Sequence, residues 1–276
     1  MKQYIEALKY CFENGSDVES RAGKVRKNFG FQMRFDLQNG FPAMTTKKLA
    51  WKSVVSELLW FLEGSDDERR LAEILYEDKR ENLKDKKTIW TQNANSNYWK
   101  DKAKFEGDVG RIYGVQWRDF NGVDQVKNLI KGIKSDPNGR RHILSAWNPA
   151  ELHLMSLPPC HAFSQFYVSK NKISCQLYQR SCDMFLGVPF NIASYSLFLH
   201  LLAAECSLEV GEFILTLGDY HIYHEHFEAV KEQISREPKN LPNLVFNKKN
   251  IFDYSLRDFT LENYDPHPTI KAKMNI

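Results

Sequence analysis

The sequence predicts an α/β protein of the α+β type, on three observations. Residues 2–14 place their apolar side chains on one helical face and are followed by Gly15, which ends the predicted helix. Residues 29–37 alternate apolar and polar side chains, which indicates a half-buried strand. Residues 192–206 are mostly apolar, which predicts a long helix buried in the core. Because 42% of the 276 residues are hydrophobic, the chain can bury a full core, and we expect a single domain over residues 1–276.

The same patterns predict further elements along the chain. Helices are expected over residues 51–62 and 123–133, where apolar residues recur at helical spacing. Strands near 163–168 and 173–178 are expected to form a hairpin. Residues 65–87 are dominated by charged side chains, which is typical of a solvated helix and loop, and we assign them no function.

Composition and charge argue against several classes of protein. The formal net charge of +3 is too small to indicate nucleic-acid or membrane binding by itself. The five cysteines have no metal-like spacing and favour a reducing compartment over a disulfide framework. The first residues contain no apolar signal core, and no uncharged run approaches the roughly 18 residues that span a bilayer. We therefore expect a cytoplasmic protein.

A cysteine behind two prolines is the first candidate for chemistry. Cys160 follows a stiff, extended Pro-Pro bend and precedes His161. A cysteine is nucleophilic as the thiolate, so its pKa must be lowered by a nearby cation, for which Arg180 and His161 are the local candidates. Cysteine is also among the most buried residue types, so an inert core position is the alternative. Cys182, closer to Arg180 in sequence, is the rival nucleophile.

Other polar groups also allow more than one interpretation. The basic residues 21–27 form either a solvated loop or a phosphate clamp. Glu57 lies in an otherwise apolar helix and is either one half of a structural pair or a catalytic acid with a shifted pKa. Arg140 and Arg141 follow a turn, where paired arginines are usually only exposed. The histidines within residues 221–226 lack both i, i+4 spacing and an HExxH frame, so we expect no metal site.

Three ordered segments carry a resemblance to a known family. They are residues 159–163, 175–183 and 185–195, and further matches extend over nearly the whole chain. Together they resemble thymidylate synthase of the folate-dependent, cysteine-nucleophile type. This resemblance implies a large mixed β-sheet flanked by helices, with the long apolar helix at its centre. It also implies reductive methylation of dUMP to dTMP by 5,10-methylenetetrahydrofolate, which serves as both carbon donor and reductant and leaves as dihydrofolate.

The resemblance also implies a role for individual residues. The catalytic set is Cys160, Glu57, Tyr113, Arg180 and His161, with Cys160 adding to C6 of the uracil. The substrate-binding set is Arg21, Arg140, Arg141, Gln179, Arg180, Ser181, Cys182, Asp183, Asn191, His221 and Tyr223. The folate-binding set is Ala50, Trp90, Asp183 and Asn275.

Several of these roles concern ligands and partners. Asn191 is expected to read the O4 and N3 edge of uracil, and His221 and Tyr223 to donate to the ribose 3′-hydroxyl. Arg140 and Arg141 are expected to reach across a homodimer to the phosphate bound by the partner subunit. The ligands implied are dUMP and folate, without a membrane or nucleic acid.

Two other functions stay open from the sequence. A deoxyuridylate hydroxymethylase of the same family would share Cys160 and the arginines, and would differ in water access beside Trp90. A nucleotide-binding or RNA-binding protein without catalysis belongs to a different class, and the full set of residues from Arg21 to Tyr223 argues against it. The segment 65–106 is longer than the corresponding segment in the commonest form of the family and differs from it in sequence. Ala50 and Asn275 also differ from the residues that are common at their positions.

Overall fold

A mixed six-stranded sheet forms the framework of the protein, in a computed structural model that describes residues 1–273. The strands lie in the order β1-β2-β6-β5-β4-β3, and every neighbouring pair is antiparallel except β5 and β6, which are parallel. Their bounds are β1 Ser16–Ser20, β2 Gly23–Asp36, β3 Ile143–Ser145, β4 His161–Ser169, β5 Lys172–Asp183 and β6 Glu209–Tyr223. A separate antiparallel pair consists of β7 Asn243–Val245 and β8 Thr260–Glu262.

Eight α-helices surround or cover this sheet in residues 1–273. Helix α7, Gly187–Cys206, connects β5 to β6. Parallel neighbouring strands require a crossover connection of this kind. The bounds are α1 Lys2–Asn14, α2 Trp51–Glu63, α3 Glu68–Tyr76, α4 Thr91–Ala94, α5 Tyr113–Arg118, α6 Gln125–Ser135, α7 Gly187–Cys206 and α8 Phe227–Ser235.

The long apolar helix lies at the centre of the fold, as predicted. It packs against β5 and β6 on one side and against α2 and α6 on the other. It has the length and composition of a membrane span, yet 72% of that window is buried within the protein, so its apolar surface is used by the core. The helix begins at Gly187, five residues before the predicted start. Pro189 lies in its first turn, where a missing N–H costs no helical hydrogen bond.

The predicted hairpin is confirmed, and its turn explains its position. β4 and β5 are joined by Lys170 and Asn171, whose φ angles of 48° and 61° are both left-handed. Two successive left-handed residues match the right-handed twist of the flanking strands. The hairpin fixes the register in which the far end of β5 lies beside the start of β4.

The predicted strand over residues 29–37 is longer than expected and its alternation is interrupted. β2 begins at Gly23, and Met33 and Phe35 are buried on its inner face as expected. Phe29 is 77% exposed, so its predicted burial is wrong. Gly30 explains the break, because its φ of 77° departs from the extended conformation on which strand alternation depends.

The charged segment 65–87 is only partly solvated. Helix α3 in this segment begins with Glu68 and Arg69, which are only 1% and 8% exposed. The expectation of a wholly solvated helix and loop is therefore wrong at these two positions. A charge run indicates exposure on average, but a pair of opposite charges can be buried together when each satisfies the other.

Candidate active site

The candidate site lies where β4 begins and β5 ends. Cys160 immediately precedes β4 and retains partial exposure. Its backbone N–H donates to the Tyr113 hydroxyl at 2.7 Å, and its carbonyl accepts from the Arg180 N–H at 2.8 Å. The cysteine backbone is therefore held by one residue of α5 and one residue of β5, at the point where β4 begins.

Arg180 is fixed beside the cysteine by the two prolines. Its Nε donates to the Pro159 carbonyl and its Nη2 to the Pro158 carbonyl, both at 2.8 Å, while the guanidinium lies 5.2 Å from the centre of the Trp147 ring. The Pro-Pro bend thus presents two carbonyls to a single cation. This arrangement holds the positive charge next to Cys160 before any ligand binds.

The electrostatics of Cys160 combine opposing effects. Burial raises the pKa of the thiol, Arg180 lowers it, and hydrogen bonding from Tyr113 and Ser181 lowers it further. Asp183 raises it again, and the resulting pKa is above the ordinary value for cysteine. Arg180 therefore acts in the predicted direction without overcoming burial, and the resting group is the thiol.

Glu57 is a partly buried carboxylate with one strong partner. The Trp90 indole N–H donates to its Oε1 at 2.7 Å. Desolvation raises the pKa of Glu57 to about 7, and the Trp90 hydrogen bond opposes that rise. Because an acid with a pKa near neutral can both give and take a proton, Glu57 has the properties of a general acid or base.

Tyr113 lies near both the cysteine and this carboxylate. Its ring packs at 5.9 Å from the Trp90 ring, and its hydroxyl accepts from the Cys160 N–H. Burial raises the pKa of Tyr113 well above its usual value, and the charges of Cys160 and Glu57 raise it further. The phenol is therefore a neutral hydrogen-bonding group between the cysteine and the carboxylate.

An amide pair defines the polar wall beside the strand end. Gln179 donates through Nε2 to the Asn191 Oδ1 at 3.0 Å and to the Ser181 carbonyl at 3.1 Å. Gln179 Oε1 is buried and has no hydrogen-bond partner among the described residues. An unpaired buried acceptor next to an asparagine amide suits a ligand with complementary donors and acceptors.

Asp183 and Lys47 form the wall at the end of β5. Asp183 Oδ1 accepts from the N–H groups of Phe185 and Leu186 at 3.0 and 3.2 Å, which fixes the turn into α7. Lys47 Nζ donates to the Phe185 carbonyl at 2.5 Å and lies 3.5 Å from the centre of that ring. Burial lowers the pKa of Lys47 to about 7, and Asp183 opposes this shift. Lys47 was not predicted from the sequence, since it lies in a short basic loop without a motif.

His221 and Tyr223 line the side of the site formed by β6. His221 pairs with Asp183 across the parallel ladder, and its Nδ1 lies 3.3 Å from Asp219 Oδ1. Burial raises the pKa of Tyr223, the charges of Asp183 and Cys160 raise it further, and Arg21 lowers it. One phenol therefore experiences the charges of three predicted site residues, which come from distant parts of the chain.

Arg21 occupies the tight turn between β1 and β2 and is exposed. Its guanidinium lies 5.8 Å from the centre of the Tyr98 ring, within the range of a cation–π contact. The Tyr98 hydroxyl donates to the Ser156 carbonyl, which anchors the ring. The unusual segment 65–106 therefore contacts the basic turn.

A comparison with protein families decides the relationship. The family described as thymidylate synthase matches residues 2–276. The chain belongs to the thymidylate synthase family. This family is folate-dependent and binds dUMP, so the ligands of this site are small molecules.

Two of the residues expected from the thymidylate synthase resemblance have different roles here. Cys182 is fully buried, its thiol donates to the Gln179 carbonyl at 3.2 Å, and burial raises its pKa strongly. Because it is fully enclosed, its side chain is neither a rival nucleophile nor a substrate ligand. His161 is also buried, and its pKa is lowered to about 3, so it supplies no imidazolium to Cys160.

His161 instead supports the ring of Tyr113. The two rings stack with centres 3.8 Å apart, and Nδ1 of His161 is 3.0 Å from the Tyr195 hydroxyl. A neutral imidazole between these phenols fixes Tyr113 in position. The role of His161 that the structure supports is therefore positioning of Tyr113.

The remaining expected residues are not gathered at Cys160 within one chain. Arg140 and Arg141 are exposed just before the edge strand β3, and neither makes an ion pair within residues 1–273. Ala50 is exposed at the N-terminus of α2. Asn275 lies outside the described residues. In residues 1–273, no group of His, Cys, Asp or Glu side chains is arranged to hold a metal ion.

Two residues of the expected folate-binding set have defined contacts. Trp90 donates to Glu57, and Asp183 accepts from the backbone at the turn into α7. Asn93, in α4 just after Trp90, is buried, and its Nδ2 has no partner in the part of the chain that the structure describes. A buried unpaired donor near an indole suits a polar heterocyclic ligand.

Proposed function

We propose that this protein is a thymidylate synthase, which converts dUMP and 5,10-methylenetetrahydrofolate into dTMP and dihydrofolate. The observation that carries the proposal is the Arg180 guanidinium held by the two prolines that precede Cys160, with the amide pair of Gln179 and Asn191 at the same end of β5. Family membership supports the nucleotide and the folate as ligands. The chemistry of the side chains supports the specific reaction.

Cys160 would act as the nucleophile. Its proton passes to solvent water as sulfur bonds to C6 of the uracil, and the C5–C6 π electrons move toward O4 as an enolate. Arg180 stabilises the developing thiolate because its guanidinium is already held at the Pro-Pro bend. The folate, when bound, would supply a one-carbon unit to C5 and a hydride that reduces this carbon to the methyl group.

Glu57 and Tyr113 would manage protons around the pyrimidine. Protonated Glu57 can neutralise the charge that develops at O4, because its pKa of about 7 keeps a large fraction protonated near neutral pH. Tyr113 stays neutral and can donate toward a water that removes the C5 proton. Trp90 excludes solvent behind the carboxylate, since the tryptophan is only 5% exposed.

Asn191 would select uracil over cytosine. An amide donates through Nδ2 and accepts through Oδ1, which matches the O4 acceptor and the N3–H donor of uracil. Gln179 donates to Oδ1 of Asn191. This hydrogen bond fixes the orientation of the Asn191 amide, so that its Nδ2 points away from Gln179. This fixed orientation supports dUMP as the substrate and disfavours dCMP, whose exocyclic amine is a donor.

We infer that the active enzyme is a homodimer that completes its phosphate site with Arg140 and Arg141 of the opposite subunit. Both arginines are exposed at the sheet edge, and neither side chain has a hydrogen bond or ion pair with another of the described residues. The face of the sheet beside them carries exposed apolar side chains, where an antiparallel sheet facing water would carry polar ones. They are Ile143, Phe163, Tyr167 and Tyr178, which are 38 to 64% exposed.

Mixing two inactive variants tests this dimer. Cys160→Ser keeps the arginines, and the Arg140→Ala/Arg141→Ala variant keeps the nucleophile. Random exchange of equal amounts gives active sites in heterodimers only, so about one quarter of all sites should recover activity. Sedimentation equilibrium should show a dimer for each parent variant. Recovery of no activity after proven exchange would refute the shared site.

Product analysis tests the reaction itself. Purified protein is incubated with dUMP and 5,10-methylenetetrahydrofolate, dihydrofolate is followed by absorbance, and the nucleotide is identified by mass. Equal amounts of dTMP and dihydrofolate are expected, with none from Cys160→Ser. Hydroxymethyl-dUMP with tetrahydrofolate would identify a hydroxymethylase instead, and no turnover would refute both reactions.

A further inference from the structure

Helix α3 begins with a buried pair of opposite charges. Glu68 and Arg69 are 1% and 8% exposed, although the surrounding segment is mostly charged and solvated. The Asp67 side chain accepts from the Arg69 N–H at 2.9 Å and caps the helix. The two charged side chains are therefore held inside the protein by a helix start.

The pair is joined in a two-point geometry. Arg69 Nε donates to Glu68 Oε2 at 2.6 Å and Nη2 donates to Oε1 at 2.5 Å. Arg69 Nη1 also donates to the carbonyls of Leu83 and Lys86 at 3.2 and 3.0 Å. Each buried charge therefore has several partners, which is the condition under which an ion pair is tolerated inside a protein.

Glu68 extends this network to the residues on both sides of Trp90. Its Oε1 accepts from the hydroxyls of Thr88 and Thr91 at 2.6 and 2.5 Å. The Thr88 oxygen in turn accepts from the Trp90 N–H at 3.1 Å, and the Thr91 oxygen accepts from the Thr88 N–H at 2.8 Å. The backbone that carries Trp90 is thus tied to one carboxylate.

Trp90 is the link from this network to the candidate active site. Its indole donates to Glu57 at 2.7 Å and packs against Trp60, with ring centres 5.8 Å apart. A hydrogen bond of this length is sensitive to a small displacement of its donor. Whatever fixes the backbone of Trp90 therefore also fixes the donor of Glu57.

We infer that Glu68 is a positioning residue for catalysis: through Thr88 and Thr91 it holds the Trp90 indole on the Glu57 carboxylate. This inference rests on the proposed function for its kinetic consequence, because Glu57 manages protons only if the protein turns over dUMP. Arg69 keeps Glu68 ionised and oriented. A buried ion pair gives little net stability, so its contribution here is a fixed geometry.

The ionisation of Glu68 agrees with this role. Burial raises the pKa of the carboxyl, but hydrogen bonds from Arg69, Thr88 and Thr91 outweigh it, and the pKa is below the ordinary value for glutamate. An ionised carboxylate accepts from both threonine hydroxyls, whose protons then point at Glu68. Each threonine oxygen is left to accept from the backbone, as the distances to the N–H groups require.

Glu68→Gln tests the inference, with Glu73→Gln as the matched control on the same helix. Glu73 pairs with Arg70 and Arg80 near the surface and does not contact the threonines. The readout is the indole N–H resonance of Trp90 in protein labelled with ¹⁵N-tryptophan. The chain contains six tryptophans, and the resonance that is lost in Trp90→Phe is assigned to Trp90. We expect that resonance to shift in Glu68→Gln and to stay in place in Glu73→Gln.

Kinetics of dUMP turnover provide the second readout. Glu68→Gln should lower kcat about tenfold, the effect of weakening one hydrogen bond to a charged group, with little change in KM for dUMP. The midpoint of the kcat pH profile should move upward, because a carboxylate that loses a donor becomes harder to ionise. Combining Glu68→Gln with Trp90→Phe should lower kcat no further than Trp90→Phe alone.

Other variants keep the test decisive if Glu68→Gln does not fold. Thr88→Val/Thr91→Val preserves the Glu68–Arg69 pair and removes both hydroxyls, and it should reproduce the shifts in the resonance and the pH profile. An unchanged indole resonance and pH profile in a folded variant of either kind would overturn the inference. If wild-type protein does not turn over dUMP, the proposed function fails, while the resonance still reports on the link between Glu68 and Trp90.

Discussion

Replacing Glu57 by glutamine should make the protein more stable at alkaline pH while removing its activity. Desolvation raises the pKa of Glu57 from 4.5 to about 7 in the native state. The unfolded chain ionises Glu57 at a lower pH than the native protein does, so native stability falls as pH rises through this interval. At about 1.36 kcal/mol per pKa unit, the full cost above pH 7 is about 3 kcal/mol.

The neutral amide of Glu57→Gln avoids this cost and still accepts a hydrogen bond from Trp90. Urea unfolding at pH 4.5 and pH 8 measures the free energy of unfolding of both proteins. We expect the difference between variant and wild type to change by about 3 kcal/mol between these pH values, in favour of the variant at pH 8. Comparing the two pH values removes any effect of the substitution that does not depend on pH. A difference independent of pH would refute the assigned desolvation of Glu57.

Three other sets of substitutions test separate parts of the site. Cys182→Ala should keep kcat within about twofold of wild type, because this thiol faces the core, whereas Cys160→Ser should form no covalent adduct with dUMP. Tyr98→Leu should raise KM for dUMP by about twofold to fivefold, because the contact between Arg21 and the aromatic ring is lost. Tyr98→Phe keeps the ring and should have a KM close to that of wild type, and substrate titrations measure both values. Because burial lowers the pKa of His161 to about 3, wild-type stability should fall as pH decreases from about 6.5, and His161→Asn should lose less stability between pH 7 and pH 4 in urea titrations.

Local patterns were sufficient to predict much of the framework. The helix α1 and the hairpin between β4 and β5 follow directly from periodicity and turn residues. The alternation of residues 29–37 predicts a buried Phe29 because it assumes an uninterrupted strand. Gly30 has a left-handed conformation, which interrupts the alternation next to Phe29. Such a break depends on the backbone path, which side-chain spacing does not encode.

The sequence nominates candidate site residues, but it does not give the environment of each one. The choice between Cys160 and Cys182 requires knowing which face of β5 and which end of β4 the site occupies. Burial then decides it, since Cys182 is fully enclosed. The sequence does not indicate the role inferred for Glu68 either. Its partners Thr88 and Thr91 lie 20 and 23 residues away, outside the charged segment 65–87.

The order of strands in the sheet has a consequence for synthesis of the protein on the ribosome. β2 is made early, but its neighbour β6 follows much later, and Lys27 and Asp219 on these strands are 192 residues apart. At about 5–20 residues per second, β2 waits about 10–40 s for that neighbour to be translated. The basic turn that contains Arg21, and Cys160 just before β4, are therefore made while the sheet is unfinished, and the open edge of such a sheet can pair with other chains. Assembly of the catalytic centre is thus among the last events of folding, and a nascent chain that stops before β6 has no means of completing it.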